Sequence, residues 1–99
     1  MILSVVVLPL QNFATGVLAD VIRRQPASAE RTTFVWTLAV GPAMAKVTTV
    51  ELRNGLLIVR AKDARWAREV ERARDTILPR VRLFLGADGL RDLRVVTID

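Results

Sequence analysis

The sequence has no cysteine, no histidine and no tyrosine. Without cysteine it forms no disulfide, and without histidine as well it lacks the thiolate and imidazole ligands of most transition-metal sites. Histidine is also the side chain that most readily exchanges protons near neutral pH, so acid–base catalysis lacks its usual group. We therefore expect no metal and no cofactor. Nothing in this composition indicates an oxidising compartment, so the cytoplasm is the expected location.

Long hydrophobic runs are missing too. The most apolar stretch, residues 1–10 (MILSVVVLPL), is too short to cross a bilayer and lacks the basic start of a signal peptide. We therefore expect no membrane partner. Residues 1–8 are interpreted as an apolar N-terminal extension that forms an extra strand, covers the core or comes from an upstream start codon. Residues 9–99 have the length of a single domain.

Catalytic motifs are also absent from the sequence. Ser4 and Ser28 have no histidine to activate them, and there is no glycine-rich pattern that binds phosphate or a dinucleotide. Glu69, Glu71 and Asp75 alternate with arginines, as on a solvated helix face with spaced ion pairs. We therefore expect that the chain is not an enzyme and acts by binding.

What the sequence has in excess is arginine. Thirteen arginines and two lysines oppose ten acidic residues, which gives a net charge of +5. Arginine binds phosphate and carboxylate groups through two parallel hydrogen bonds. The charge balance favours a nucleic-acid backbone or an acidic protein surface as the partner, although a GC-rich genome produces the same excess of arginine.

The first half of the sequence predicts helices. Pro9 is suited to the first turn of a helix, and apolar residues at helical spacing continue it to about Arg24. Ser28 is a suitable N-cap for a second helix over Ala29–Val40, which Gly41-Pro42 ends. Residues 43–46 are expected to add one further turn.

The dipeptide Asn54-Gly55 predicts a β-hairpin between residues 47–53 and 56–62, because both of its positions accept a positive φ. A two-residue loop pairs Arg53 with Leu56, Leu52 with Leu57, Val50 with Val59 and Thr48 with Ala61. The last three pairs give one largely apolar face. The other face carries Glu51, Arg53, Leu56, Ile58, Arg60 and Lys62.

The C-terminal part predicts further helix and a last strand. Asp63 is expected to cap a helical segment that Pro79 interrupts, which gives two helices or a kink near Thr76. Gly86 ends this segment, and residues 90–98 form a strand. The order α–α–β–β–α–α–β predicts an α+β fold, a three-stranded sheet with helices packed on one face. The inward helix face has apolar residues at intervals of three and four, namely Trp66, Val70, Ala73, Ile77, Val81 and Phe84.

Two groups of basic side chains form the candidate nucleic-acid interface. Arg65, Arg68 and Arg72 make a stripe along one helix face, and Arg53, Arg60 and Lys62 lie on the non-core face of the hairpin. If the two groups meet, they form a patch whose affinity for phosphate falls with salt, with Leu56 and Ile58 as apolar partner contacts. Ordinary solvated charges are the alternative. The expected structural core contains Trp36, Gly41, Gly55, Leu57, Val59, Trp66 and Val70, with Trp66 packed against Val59 and Leu57.

An ordered set of short motifs resembles the DciA family. The set begins with Trp36, Val40-Gly41, Ala45 and Thr48 or Thr49, followed by Asn54-Gly55-Leu56-Leu57-Ile58-Val59 and Ala64-Arg65-Trp66-Ala67-Arg68-Glu69-Val70. Leu85-Gly86 and the Leu-Arg-Val strand after it also fit. The resemblance covers about residues 10–98.

The resemblance implies a KH-like domain of type II topology. It also implies a role in bacterial DNA replication, in which the protein helps load the DnaB-type replicative helicase, contacts it and binds single-stranded or forked DNA weakly. Many members carry a long basic tail that this sequence does not have, so weak DNA binding is expected. The alternative is a protein-interaction module without nucleic-acid binding, such as a homodimer that pairs through the N-terminal segment.

Overall fold

The structure of the protein, a computed structural model, describes residues 16–86 and 89–98. Within these ranges, three helices precede a β-hairpin, and two further helices and a final strand follow it, in the order that the sequence predicts. The helices are α1 (described over residues 16–24), α2 (Ala29–Val40), α3 (Pro42–Ala45), α4 (Ala64–Arg72) and α5 (Arg74–Leu85). The strands are β1 (Thr48–Arg53), β2 (Leu56–Ala61) and β3 (Asp92–Thr97).

The sheet has β2 at its centre, antiparallel to β1 and parallel to β3. The predicted hairpin register is confirmed from the pair Arg53 and Leu56 to the pair Thr48 and Ala61. Asn54 and Gly55 both take positive φ, 49° and 82°, as a two-residue hairpin turn requires.

The hairpin turn is also bonded to the segment that leads into β3. The Gly55 carbonyl accepts hydrogen bonds from the backbone N–H of Arg91 at 2.7 Å and of Asp92 at 3.3 Å. The Arg91 guanidinium donates to the Asn54 carbonyl at 2.8 Å. The φ of 82° favours glycine at position 55, and a Cβ there would lie 2.9 Å from the Nε of the exposed Arg91 side chain, which would have to shift.

All helices with described contacts to the strands lie on one face of the sheet. The helices α2 and α3 contact β1. The helix α4 contacts β2 and β3, and α5 contacts β3. Alternate strand residues point into this layer, because side chains along a strand alternate between the faces. The predicted α+β fold with a three-stranded sheet and helices packed on one face is confirmed, and it is compatible with a KH-like domain. Its most deeply buried large side chains are Val35, Trp36, Leu57, Val59, Val70, Val81, Leu90 and Leu93.

Local capping explains where two of the helices begin. The Ser28 Oγ accepts a hydrogen bond from the Arg31 N–H at 3.0 Å, and the Asp63 Oδ1 accepts from the Trp66 N–H at 2.9 Å. These bonds satisfy N–H groups that the first helical turn leaves unpaired. The predicted starts of α2 and α4 are therefore confirmed.

The break between the last two helices differs from the prediction. It falls at Ala73, not near Thr76, and Pro79 lies inside α5. Ala73 takes φ −89° and ψ 2°, which ends α4 and starts α5 at a single residue. Since α5 begins at Arg74, Pro79 occurs in its second turn and removes only one backbone hydrogen bond. The helix continues through the proline.

The two tryptophans have different environments. Trp36 is 2% exposed, and its Nε1 donates to the Thr48 Oγ1 at 2.8 Å, so its predicted core position is confirmed. Trp66 is half-buried and lies outside the core cluster, which corrects the expectation that it packs into the core against Val59 and Leu57. Gly41 is a turn residue, not a core residue: its φ is 86° and its N–H caps α2 on the Thr37 carbonyl at 2.9 Å.

Two predictions about the N-terminus lie outside the described residues. These are the extra strand or flap formed by residues 1–8 and the homodimer that pairs through them. Within residues 16–86 and 89–98, no helix is long and apolar enough to cross a membrane.

Candidate nucleic-acid interface

The stripe of arginines on α4 is present and exposed. Arg65, Arg68 and Arg72 are all exposed, while Val70 on the same helix is fully buried. At 100° per residue the three guanidinium side chains leave the helix roughly opposite to Val70, which packs against the sheet. We call Arg65, Arg68 and Arg72 the α4 stripe.

The charge of the α4 stripe is only partly neutralised. Arg72 pairs with Glu69 of the preceding turn, NH1 to Oε2, at 3.1 Å. Arg65 and Arg68 form no ion pair with any residue that the structure describes, and neither does Lys62, which directly precedes the Asp63 cap. Three exposed cations therefore lie around the start of α4 without a described carboxylate partner.

The second basic group lies on the other side of the sheet. Arg53 and Arg60 occupy positions that alternate with the buried Leu57 and Val59, so their side chains point away from the helices. We call this side of the sheet the outer face. Its residues are Thr49, Glu51 and Arg53 of β1, Leu56, Ile58 and Arg60 of β2, and Asp92, Arg94 and Val96 of β3.

Glu51 holds both arginines of the hairpin. Its Oε2 lies 2.8 Å from the Arg53 NH2, and its Oε1 lies 3.2 Å from the Arg60 NH1. Hydrogen bonds from Arg53 and then Arg60 hold the pKa of Glu51 below its usual range, so this carboxylate is ionised at neutral pH. The three side chains together carry one net positive charge.

The predicted basic residues on α4 and on the hairpin therefore point to different sides of the sheet. The α4 stripe lies on the helical side, whereas Arg53 and Arg60 lie on the outer face and share a carboxylate. Lys62 follows β2 directly and lies between the two groups in the chain. The hypothesis of a joint patch requires the helix edge and the outer hairpin face to meet. The helix α4 contacts β2 and β3, and its Val70 belongs to the core cluster with Leu57 and Val59, on the face opposite to Arg53 and Arg60.

Leu56 and Ile58, the predicted apolar contacts, lie side by side on the outer face and are half-buried. The sequence prediction missed two neighbours on β3. Parallel pairing places Arg94 beside Ile58 and Val96 beside Arg60. Both could have been found from the alternation in β3, because the inward position of Leu93 sends Arg94 to the opposite face.

Several other arginines are bonded to the protein itself. Their guanidinium groups donate to backbone carbonyls of distant segments, which fixes the loops and helix ends at those points. Hence fewer guanidinium N–H donors are available to a ligand than the excess of arginine suggests. These bonds join Arg74 to Leu93 at 2.6 Å, Arg80 to Ala39 at 3.1 Å, and Arg82 to Leu90 at 3.2 Å and Arg91 at 2.8 Å.

The described residues contain no cluster of three or more acidic side chains that could hold a metal ion. Comparison with protein families identifies the family of this chain. The family model described as "Dna[CI] antecedent, DciA" matches residues 9–95, which include every described element up to the middle of β3. A comparison with curated proteins finds no match.

Proposed function

The chain belongs to the DciA family, whose role is to load the DnaB-type helicase in DNA replication, and we propose that it is a non-catalytic adaptor that binds this helicase and, weakly, single-stranded or forked DNA. Family membership supports the role in replication. The helicase contact, the DNA contact and the absence of catalysis are our proposals. We expect the protein in the cytoplasm, where bacterial DNA is replicated.

The observation that supports DNA binding is the set of exposed cations around the start of α4. Lys62, Arg65 and Arg68 have no described carboxylate partner, so a phosphate backbone does not have to displace one. Their backbone positions are set by the capped start of α4 and the end of β2. Such a surface binds single strands mainly through phosphates, with little preference for sequence.

The double variant Arg65→Glu, Arg68→Glu tests the DNA contact. We expect it to weaken binding to a single-stranded oligonucleotide by about tenfold or more, because two phosphate contacts become repulsive. The plot of log affinity against log salt should also become shallower by roughly 1.4. Fluorescence anisotropy with a labelled oligonucleotide measures both quantities.

The matched control for this test is the charge reversal Arg94→Glu, which changes an exposed arginine on the outer face. It should leave the DNA affinity within about twofold, since surface charges at a distance contribute little. Equal affinity of the wild type and the double variant would reject the α4 stripe as the DNA contact. If the wild type binds helicase but not DNA, the protein-interaction module without nucleic-acid binding is the better description.

Binding to the replicative helicase of the same bacterium is tested directly with the purified proteins. We expect a complex that persists after nuclease treatment, because the contact is between proteins. Loss of the complex on nuclease treatment would show that DNA bridges the two proteins and would contradict a direct contact.

A further inference from the structure

The outer face has an aliphatic centre on which no described helix packs. Leu56 and Ile58 of β2 form the middle of this centre, and Val96 of β3 extends it; all three are half-buried. The described helices that contact the sheet pack on the opposite side. In an open sheet, an apolar centre with a charged border is typical of a surface that binds a partner.

The border of this centre is basic. Arg53 and Arg60 share the carboxylate of Glu51, and Arg94 is exposed without an ion pair to any described residue. The carboxylate of Asp92 is bound by Arg74, which reaches it from the helical layer. With Asp92 paired to Arg74, the border has three guanidinium groups and one remaining carboxylate, that of Glu51.

We propose that the outer face docks an amphipathic segment of a protein partner, one whose apolar side chains cover Leu56, Ile58 and Val96 and whose acidic side chains meet Arg60 and Arg94. The segment is expected to be acidic, because a basic border attracts acidic side chains and repels basic ones. This inference rests on the proposed function in taking the replicative helicase as that partner.

The same face is poorly suited to nucleic acid. Its nine positions carry no aromatic ring on which a base could stack. The ionised Glu51 lies between Arg53 and Arg60 and repels phosphate from two of the three guanidinium groups. The α4 stripe and the outer face thus serve different partners, DNA and protein, on opposite sides of the sheet.

A pair of matched charge reversals separates the two surfaces. Arg94→Glu lies on the outer face and Arg68→Glu on α4; both residues are exposed and form no ion pair within the described ranges. We expect Arg94→Glu to weaken binding to the helicase by about tenfold and to leave DNA binding within about twofold. Arg68→Glu should weaken DNA binding by about tenfold and leave binding to the helicase within about twofold. Isothermal titration with the helicase and anisotropy with a single-stranded oligonucleotide measure the two affinities.

Ile58→Ala tests the aliphatic centre without changing the charge. It should weaken helicase binding by about fivefold to tenfold, with circular dichroism showing an intact fold. If the helicase binds the wild type, Arg94→Glu and Ile58→Ala equally, the docking inference is overturned while the proposed function stands. If the helicase does not bind the wild type, the proposed function itself fails, and the inference fails with it.

A second copy of the chain is the competing occupant of the outer face. The free protein should be a monomer in analytical ultracentrifugation, since the basic borders of two copies repel each other. A dimer that Ile58→Ala dissociates would overturn the inference in favour of self-association.

Discussion

At the scale of single residues, arginine has two distinct roles in this protein. Arg82 joins the end of α5 to the carbonyls of Leu90 and Arg91, and Arg91 in turn bonds the hairpin turn. Arg65 and Arg68 instead extend into solvent without a described ion-pair partner. Composition cannot distinguish these roles, because a guanidinium donates equally well to a carbonyl of its own chain and to a phosphate.

Thr48→Val should destabilise the fold by about 1–3 kcal/mol, because it leaves the buried Nε1 of Trp36 without an acceptor. The Thr48 Oγ1 accepts from Trp36 at 2.8 Å and donates to the Met44 carbonyl at 2.7 Å, so both bonds are lost. Urea unfolding measures the change. Thr49→Val, at the next and exposed position of the same strand, is the control and should change stability by less than about 0.5 kcal/mol.

The pKa of Glu51 gives a second prediction at this scale. Arg53→Gln should raise it toward the usual range by more than Arg60→Gln does, because Arg53 makes contacts of 2.9 and 2.8 Å and Arg60 makes one of 3.2 Å. A lowered folded-state pKa stabilises the fold above the ordinary glutamate pKa, and this contribution is lost as the pH falls through the lowered value. NMR titration of the side-chain carboxyl measures the three pKa values; identical values would contradict the assigned cause.

At the scale of elements, the sequence predicted what local chemistry determines. The caps at Ser28 and Asp63 fixed the starts of two helices, and Asn54-Gly55 fixed the hairpin register. The break at Ala73 was not predictable in the same way. The apolar spacing continues from Val70 across Ala73 to Ile77, so the pattern resembles one helix. Because Pro79 is the strongest helix-breaking residue in this segment, the break was predicted near Thr76 and not at Ala73.

Asp63→Ala should cost about 1 kcal/mol of stability, because the N–H of Trp66 loses its acceptor at the start of α4. Asp75→Ala is a suitable control, since Asp75 is an exposed acidic residue in the first turn of α5, which has no side-chain cap. Asp75→Ala should reduce stability by less, because it removes only the interaction of a negative charge with the helix dipole. Equal costs from urea unfolding of the two variants would show that the cap bond adds nothing to the charge effect.

At the scale of the whole molecule, the sheet separates the two basic groups. The sequence predicted correctly which hairpin residues face away from the core, because alternation along a strand decides this. It did not reveal which side of the sheet α4 packs against relative to Arg53 and Arg60, since that depends on long-range packing. The predicted basic residues therefore divide between two sides of the sheet, a division that depends on the packing of α4.

The salt dependence of DNA binding follows from this separation. If only Lys62, Arg65 and Arg68 contact phosphates, log affinity for a single strand should fall against log salt with a slope of about −2. Contacts from all six predicted residues would give about −4. A titration of the oligonucleotide at several salt concentrations distinguishes these values, and the steeper slope would contradict the assignment of Arg53 and Arg60 to a different surface.

The position of β3 beside β2 has a consequence for synthesis on the ribosome. The hairpin is complete early, whereas β3 follows α4 and α5 in the chain, so the central strand has one unpaired edge while the nascent chain grows. The carbonyl of Gly55, which receives Arg91 and Asp92, is the point at which the arriving strand attaches. A nascent chain arrested before residue 91 therefore exposes an open strand edge, the kind of surface that molecular chaperones protect.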